Sequence, residues 1–269
     1  MNYKSTTGLT LTKFLELLDR ITELLESRTC ASQPPGGRPV VLSLHDQLYM
    51  ALNLLRHDTR QNLLAHLRGV CQPTVSRAYR RMLPLICQAL AFELPDIHTA
   101  LNRGESLIID GTDVPVFKHK PAFRTHYSGK KRKRCVNVQV LTTISGRLML
   151  LAEPVPGSHH DRKASTESGL EELLAGTPYL GDLGYQGTEA LIPYKKGQRP
   201  GSGELIEHDK AFNDQLAKTR WAVEQGISHF KNWKIMAEIY RGVFHELPSV
   251  IQTIGRLKFF RLRSLGTLL

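Results

Sequence analysis

Cysteine is scarce in this sequence. Cys30, Cys71, Cys87 and Cys135 are the four among 269 residues, and they lie far apart. No pair has zinc-site spacing and no disulfide framework is suggested, so a reducing intracellular compartment is the expected setting. Long apolar runs are missing too. No stretch reaches the roughly 18 residues that a membrane helix needs, and the first residues lack a signal-peptide pattern, so a membrane or secreted protein is not expected. Internal repeats and low-complexity tracts are absent, which argues against solenoids and arrays. Acids fall short of bases, at 25 Asp and Glu against 36 Lys and Arg. The net charge of +11 favours a polyanionic partner, with nucleic acid ahead of anionic membrane.

What is present is enough apolar material for a core, 41% of residues, in a chain long enough for one large domain and a small one. Leu11, Phe14, Leu15, Leu18, Ile21, Leu24 and Leu25 recur at helical spacing. "ASQPPGGRP" breaks the pattern, so residues 32–39 read as a linker, and Ser43 is a natural N-cap for a helix to about Arg56. Asp58 or Thr59 is expected to cap a further helix ending at Gly69. A tight turn follows, and Pro73 suits the first position of the next helix. There Val75, Tyr79 and Met82 share one face, while Thr74, Ser76, Arg77, Arg80 and Arg81 cover the rest. Helix, short turn, helix with a basic outer side is the layout of a DNA-reading element, and equally of a surface helix in a bundle. Pro95 and Asp96 mark a boundary, giving a helical region over 1–100 and a second domain over 101–269.

The second domain turns to strands. "SLIIDGTDVPVF", "CVNVQVLTTIS" and "RLMLLAEPVP" are three β-rich runs. A helical stretch, "HDRKASTESGLEELLAG", leads to "YLGD" as a fourth strand, with "ALIPYKK" as a possible fifth. Helices from about Lys210 and over "SVIQTIGRLKFFRLRSL" close the chain. That order predicts an α/β domain, a mixed sheet with helices on both faces.

Three acids stand out. Asp110 ends "LIID", Asp182 ends "YLGD", and Glu224 lies on a helix near apolar Trp221, Val223 and Ile227. Each alone has an ordinary explanation, a cap or a solvated surface. Together, buried carboxylates near one sheet would repel unless cations join them. Two Mg²⁺ (or Mn²⁺) ions held this way activate an attacking hydroxyl and stabilise the leaving oxygen on phosphorus. Asp113 competes with Asp110, but strand alternation turns it to the opposite face.

At these residues the sequence resembles the DDE transposases of bacterial insertion sequences, closest to insertion-sequence family five and the related PIF/Harbinger elements. "LIIDGTDVPV", "PGSHHDRKA", "YLGDLGYQG" and "FNDQLAKTRWAVEQGISHFKNWKI" carry the likeness, in that order over almost the whole chain. It implies a ribonuclease-H-like catalytic domain preceded by an all-α helix-turn-helix domain. Asp110, Asp182 and Glu224 would be the catalytic metal ligands, holding two divalent ions. Arg220 and Lys231 would hold phosphates. Asp161 would be either a fourth acid or the cap of its helix. Ala217 stands where the family-four signature has a tyrosine, so any role for that tyrosine is absent.

The implied activity is binding of element ends, metal-dependent DNA cleavage and strand transfer. The partners are double-stranded DNA, as terminal inverted repeats and target, and a second copy of the chain, since two ends must be brought together. The implied setting is the bacterial cytoplasm, on the nucleoid. Thr74, Arg77, Arg80 and Arg81 are candidate groove and phosphate contacts. The basic run Lys118–Arg134, with Lys130, Lys131 and Arg132, and the loop carrying Lys195 and Lys196 are candidate backbone contacts. The C-terminal Arg256, Lys258, Arg261 and Arg263 read as DNA contacts or as the solvent face of the last helix. Two other functions fit part of the pattern: a transposase-derived DNA-binding regulator, and a metal-dependent nuclease without strand transfer.

Overall fold

The structure is a computed structural model that describes residues 2–29, 41–93, 97–117, 125–196 and 204–262. Helices α1 (Tyr3–Thr7), α2 (Leu11–Thr29), α3 (Leu44–His57), α4 (Gln61–Leu67), α5 (Gln72–Ala89) and α6 (Ile97–Asn102) come first. Strands β1 (Leu107–Pro115), β2 (Tyr127–Ser128), β3 (Lys133–Thr143), β4 (Leu148–Leu151) and β5 (Val155–Pro156) follow. Then come α7 (Asp161–Glu167), α8 (Leu170–Leu173), β6 (Tyr179–Leu180), α9 (Glu207–Lys231), α10 (Lys234–Ala237) and α11 (Leu247–Leu262). These elements form two compact units. One comprises Met1–Leu94, Asn232–Glu238 and His245–Leu269, the other Pro95–Lys231 and Ile239–Phe244.

The helical unit is built around α5. Its Val75, Ala78, Tyr79, Met82 and Ile86 are buried, and it packs against α2, α3, α4 and α11. Arg77, Arg80 and Arg81 lie on its exposed side. Ser43 caps α3 as expected, its hydroxyl accepting from the Asp46 N–H at 3.0 Å. The expected cap at Asp58 or Thr59 is not made. Arg60 precedes α4 and makes no side-chain cap, because Asp58 instead ends α3 in the left-handed region, φ 50°. Asp tolerates that conformation better than most residues. Thr59 donates to Asn53 Oδ1. Pro73 is second in α5 rather than first, where a missing N–H is equally harmless. On α11, Lys258 is buried rather than solvated, and its ammonium pKa falls to about 8 through burial and the charge of Arg261. Arg256 donates to the Cys87 carbonyl. Residues 32–39 and Arg263 lie outside the described residues.

The sheet unit is mixed. β1 runs antiparallel to β3 and parallel to β6, and β2, β4 and β5 pair with β3. Alternation along β1 sorts its side chains. Leu107 and Ile109 join Leu141, Leu170, Tyr179 and Tyr185 in a buried cluster on one face. The other face meets α9, where Gly226 lies against Thr142 and Val140 of β3. The third expected run divides into β4 and β5 at Glu153–Pro154, and the expected helix after it divides into α7 and α8. "ALIPYKK" forms no strand among the described residues. Leu191 makes only an isolated bridge to Leu180. No described helix is long and apolar enough to cross a membrane.

Candidate active site

The site begins with register. The last pair of the β1–β6 ladder is Ile108 with Leu180, and Asp110 and Asp182 each lie two residues beyond it. Parallel neighbours at matching register project to the same face, so the ladder carries both acids to one end of the β6 edge. Asp113 is indeed turned away. It pairs with Asn137 in register, is buried, and meets the Lys131 ammonium. Asp110 accepts from the Gly111 N–H at 2.8 Å, and Arg220 of α9 stands 3.9 Å from its other oxygen. Its pKa is pushed up to about 6, chiefly by burial, with the charges of Asp182 and Asp161 adding to it. Asp182 precedes a short 3₁₀ turn and accepts from the Gly184 N–H at 2.7 Å. It therefore caps a turn and also sits beside Asp110, so capping does not take it away from that acid.

Asp161 enters this site from the other face. It does not cap α7; His160 does, accepting from the Lys163 N–H. Instead, Asp161 Oδ1 accepts from Asn137 Nδ2 at 3.3 Å. A Cβ on Gly111 would lie 2.5 Å from that same oxygen. A Cβ on Gly184 would lie 2.8 Å from Asp182 Oδ1 and 2.9 Å from Asp161 Oδ2. A side chain at either position would push a carboxylate aside, so glycine gives these acids their room. Gly181 serves packing instead, with the Tyr185 ring 3.0 Å from where its Cβ would be.

Behind Asp161 runs a buried polar chain that the sequence reading did not single out. Tyr185 donates to Gln139 Oε1 at 2.5 Å, and Gln139 Nε2 donates to Asn137 Oδ1 at 2.8 Å. Burial and the charges of Asp161, Asp110 and Asp182 hold the Tyr185 phenol well above its usual pKa, so it remains a donor. The signal was available: "VNVQV" places two amides on one face of a central strand, where apolar residues are expected.

Glu224 is exposed on α9, one turn beyond Arg220. Asp110 is paired with Arg220, and no contact between Glu224 and either aspartate is seen. Among the described residues no three His, Cys, Asp or Glu side chains are already grouped as an ion cage. The donor chemistry still fits a hard divalent cation. The glycine-lined gaps bring carboxylate oxygens together, and their mutual repulsion, visible at Asp110, is what such an ion relieves.

The candidate DNA contacts are placed as follows. Lys130, Lys131 and Arg132 are exposed on the β2–β3 turn, although Lys131 reaches back to Asp113. Lys195 and Lys196 are exposed, and Lys195 donates to Gln186. Lys231 is partly buried. Its ammonium donates to the Asp113 carbonyl, and its pKa falls to about 8, chiefly by burial. On α5, Thr74 is half-buried, Arg80 pairs with Glu246 at 3.8 Å, and Arg81 donates to Gln47. Residues 118–124 and Arg199 lie outside the described residues.

A mixed sheet with one aspartate on β1 and a second just past the end of its parallel neighbour β6, flanked by helices, defines the class. Residues 109–257, more than half the chain, match the DDE superfamily endonucleases, and the chain belongs to that family. It is 28% identical over 203 residues, 75% of this chain and 74% of the relative, to a Streptomyces albus G protein named as a transposase for insertion sequence element IS112. It is 24% identical over 217 residues, 77% of this chain and 76% of the relative, to a Microchaete diplosiphon protein named as a transposase for insertion sequence element IS702. No solved structure matches.

Proposed function

We propose that this protein is an insertion-sequence transposase of the family-five type, which binds the ends of its element, cuts DNA there and joins the freed 3′-hydroxyl to target DNA. The observation that carries this is that Asp110 on β1 and Asp182, two residues past the end of the parallel strand β6, lie close enough for their charges to act on each other. Family membership supports the endonuclease chemistry, and the similarity to two proteins named as transposases supports the mobile-element role. In this reading the sheet unit is a ribonuclease-H-like domain in which Asp110, Asp182 and Glu224 hold divalent ions, Mg²⁺ or Mn²⁺. Bound there, the ions would lower the pKa of an attacking hydroxyl and stabilise the leaving oxygen. The chain's own part is to hold the acids at fixed register and to bring Arg220 to the phosphate. Rotation of Arg220 from Asp110 toward a phosphate would accompany entry of the ion, and Glu224, one turn away, would close on the same side.

In the same reading α4 and α5 form a helix-turn-helix. Thr74, Arg77, Arg80 and Arg81 face terminal repeats, while Lys130, Lys131, Arg132, Lys195 and Lys196 hold phosphates without reading sequence. Two ends are held by two copies of the chain. The test is strand transfer of a labelled element end with Mg²⁺, wild type beside Asp182→Asn. Transfer is expected to fall to background in the variant, and undiminished transfer would remove Asp182 from the metal site. Cleavage without any joined product in the wild type would favour a plain nuclease.

A further inference from the structure

We infer that Asp161 is a further ligand of the catalytic ion, sharing an ion with Asp182, and that the buried chain Tyr185–Gln139–Asn137 exists to aim it. This rests on the metal-dependent reading above and extends it to residues outside the expected triad.

The chain has a direction, and the direction is forced. An ionised carboxylate only accepts, so Asn137 must turn its NH₂ toward Asp161 Oδ1. That leaves the Asn137 oxygen to face Gln139, which must therefore present its own NH₂. The Gln139 oxygen then faces Tyr185, whose hydroxyl donates. Every bond points toward Asp161. Reversing Asn137 would set oxygen against oxygen at the carboxylate, and reversing Gln139 would do the same at the Asn137 oxygen. Tyr185 and Gln139 are fully buried and Asn137 nearly so. A core strand that keeps two amides in this order holds one of Asp161's oxygens in a fixed place.

The other oxygen is thereby aimed as well. Asp161 Oδ2 borders Gly184, where Asp182 Oδ1 borders the same space. Gly111 lets Asp161 close on β1 from the face opposite Asp110. A carboxylate needed only to begin a helix would not require two glycines that make room for it and a three-residue support, and His160 already supplies that helix's cap. Outer partners that orient a ligand are a regular part of metal sites.

The test exchanges oxygen for sulfur. Asp161→Cys should lose strand transfer with Mg²⁺ and regain part of it with Cd²⁺, since thiolate prefers the softer ion. With Cd²⁺ it should also develop a Cd–thiolate absorption band. Asp161→Ser, which keeps every native cysteine, should do neither. Absence of both rescue and band from the Cys variant, or their presence in the Ser variant, overturns the inference. Mn²⁺ binding measured by electron paramagnetic resonance gives a second readout. Tyr185→Phe leaves Asp161 intact and should weaken Mn²⁺ binding roughly 10–100-fold, the usual effect of losing an outer partner. Unchanged Mn²⁺ affinity in Tyr185→Phe overturns the aiming role even if the Cys variant fails to fold. Failure of the underlying reading looks different: wild type would bind no Mn²⁺, or Asp182→Asn would bind it as wild type does. Weakened binding in Asp182→Asn with wild-type binding in Asp161→Ser would sink the Asp161 assignment alone.

Discussion

Asp110 is the residue where stability and chemistry oppose each other. Its folded pKa of about 6 lies above the ordinary 3.8 of the unfolded chain. Between those values the folded state holds a proton that the unfolded state has lost, so stability rises as pH falls through 6 toward 3.8. Above about pH 6 the ionised group lowers stability by at most about 3 kcal/mol. Asp110→Asn should therefore raise the Tm at neutral pH in chelator, and the gain should shrink toward pH 4. The wild type is expected to gain Tm with Mg²⁺, and the variant to lose that gain. An equal or lower neutral-pH Tm in the variant would mean that burial and the neighbouring acids do not strain this carboxylate. Much of this was readable beforehand: strand ends and alternation selected Asp110 over Asp113, and the structure turns the two apart. Asp161 was readable only as an alternative, because nothing local in "HHDRKA" says which of His160 and Asp161 caps the helix. The supporting amides were missed because an apolar count treats "VNVQV" as a weaker strand, although its alternation already marks a polar face. The placement of Lys231 was hidden for a related reason. Helical spacing sets it two turns from Glu224 but does not reveal that the Asp113 carbonyl will receive it.

Among the elements, α9 and β3 make the contact that fixes the acidic end of β1. The contact is close because Gly226 has no side chain, and a Cβ there would lie 2.6 Å from Thr142 Cγ2. In an isolated helix Gly→Ala gains about 1 kcal/mol. Here overpacking costs about 1–3 kcal/mol, so the steric cost wins. Gly226→Ala is expected to lower stability by up to about 2 kcal/mol in urea unfolding, against the propensity trend. It should also reduce strand transfer, since Arg220 and Glu224 ride on α9. A stabilised variant would show that α9 lifts off β3 without cost. Periodic elements such as α2, α3, α5 and α9 were legible because burial of one helix face repeats over several turns. The two-residue strands β2 and β5 were not, since two residues contain no period; their pairing is decided by β3, whereas β6 was marked by the apolar residues before Asp182. The cap at Asp58 was misassigned for the same kind of reason. A helix end and a helix start compete for one Asp, and only packing of α3 decides between them.

At the scale of the whole molecule, the charge of +11 is distributed over both units. Arg77, Arg80 and Arg81 lie on the exposed side of α5 in the helical unit, and Lys130 and Arg132 lie on the β2–β3 turn of the sheet unit. Charge alone makes binding salt-dependent, with log K falling against log salt by about 0.9 for each phosphate neutralised. Removing a phosphate contact lowers that slope by about 1 and weakens all sequences alike, whereas removing a base contact relaxes discrimination. Lys130→Ala with Arg132→Ala should therefore weaken binding to an element end and to scrambled duplex equally, and reduce the slope by about 2. Arg77→Ala should lower the ratio between the two duplexes, by about 1–3 kcal/mol if it reads a base edge. Fluorescence anisotropy titrations at several salt concentrations measure both quantities. If the α5 variant changes only the slope, α5 follows the backbone and the end is read elsewhere. If the hairpin variant changes the ratio, the sheet unit takes part in choosing the DNA site.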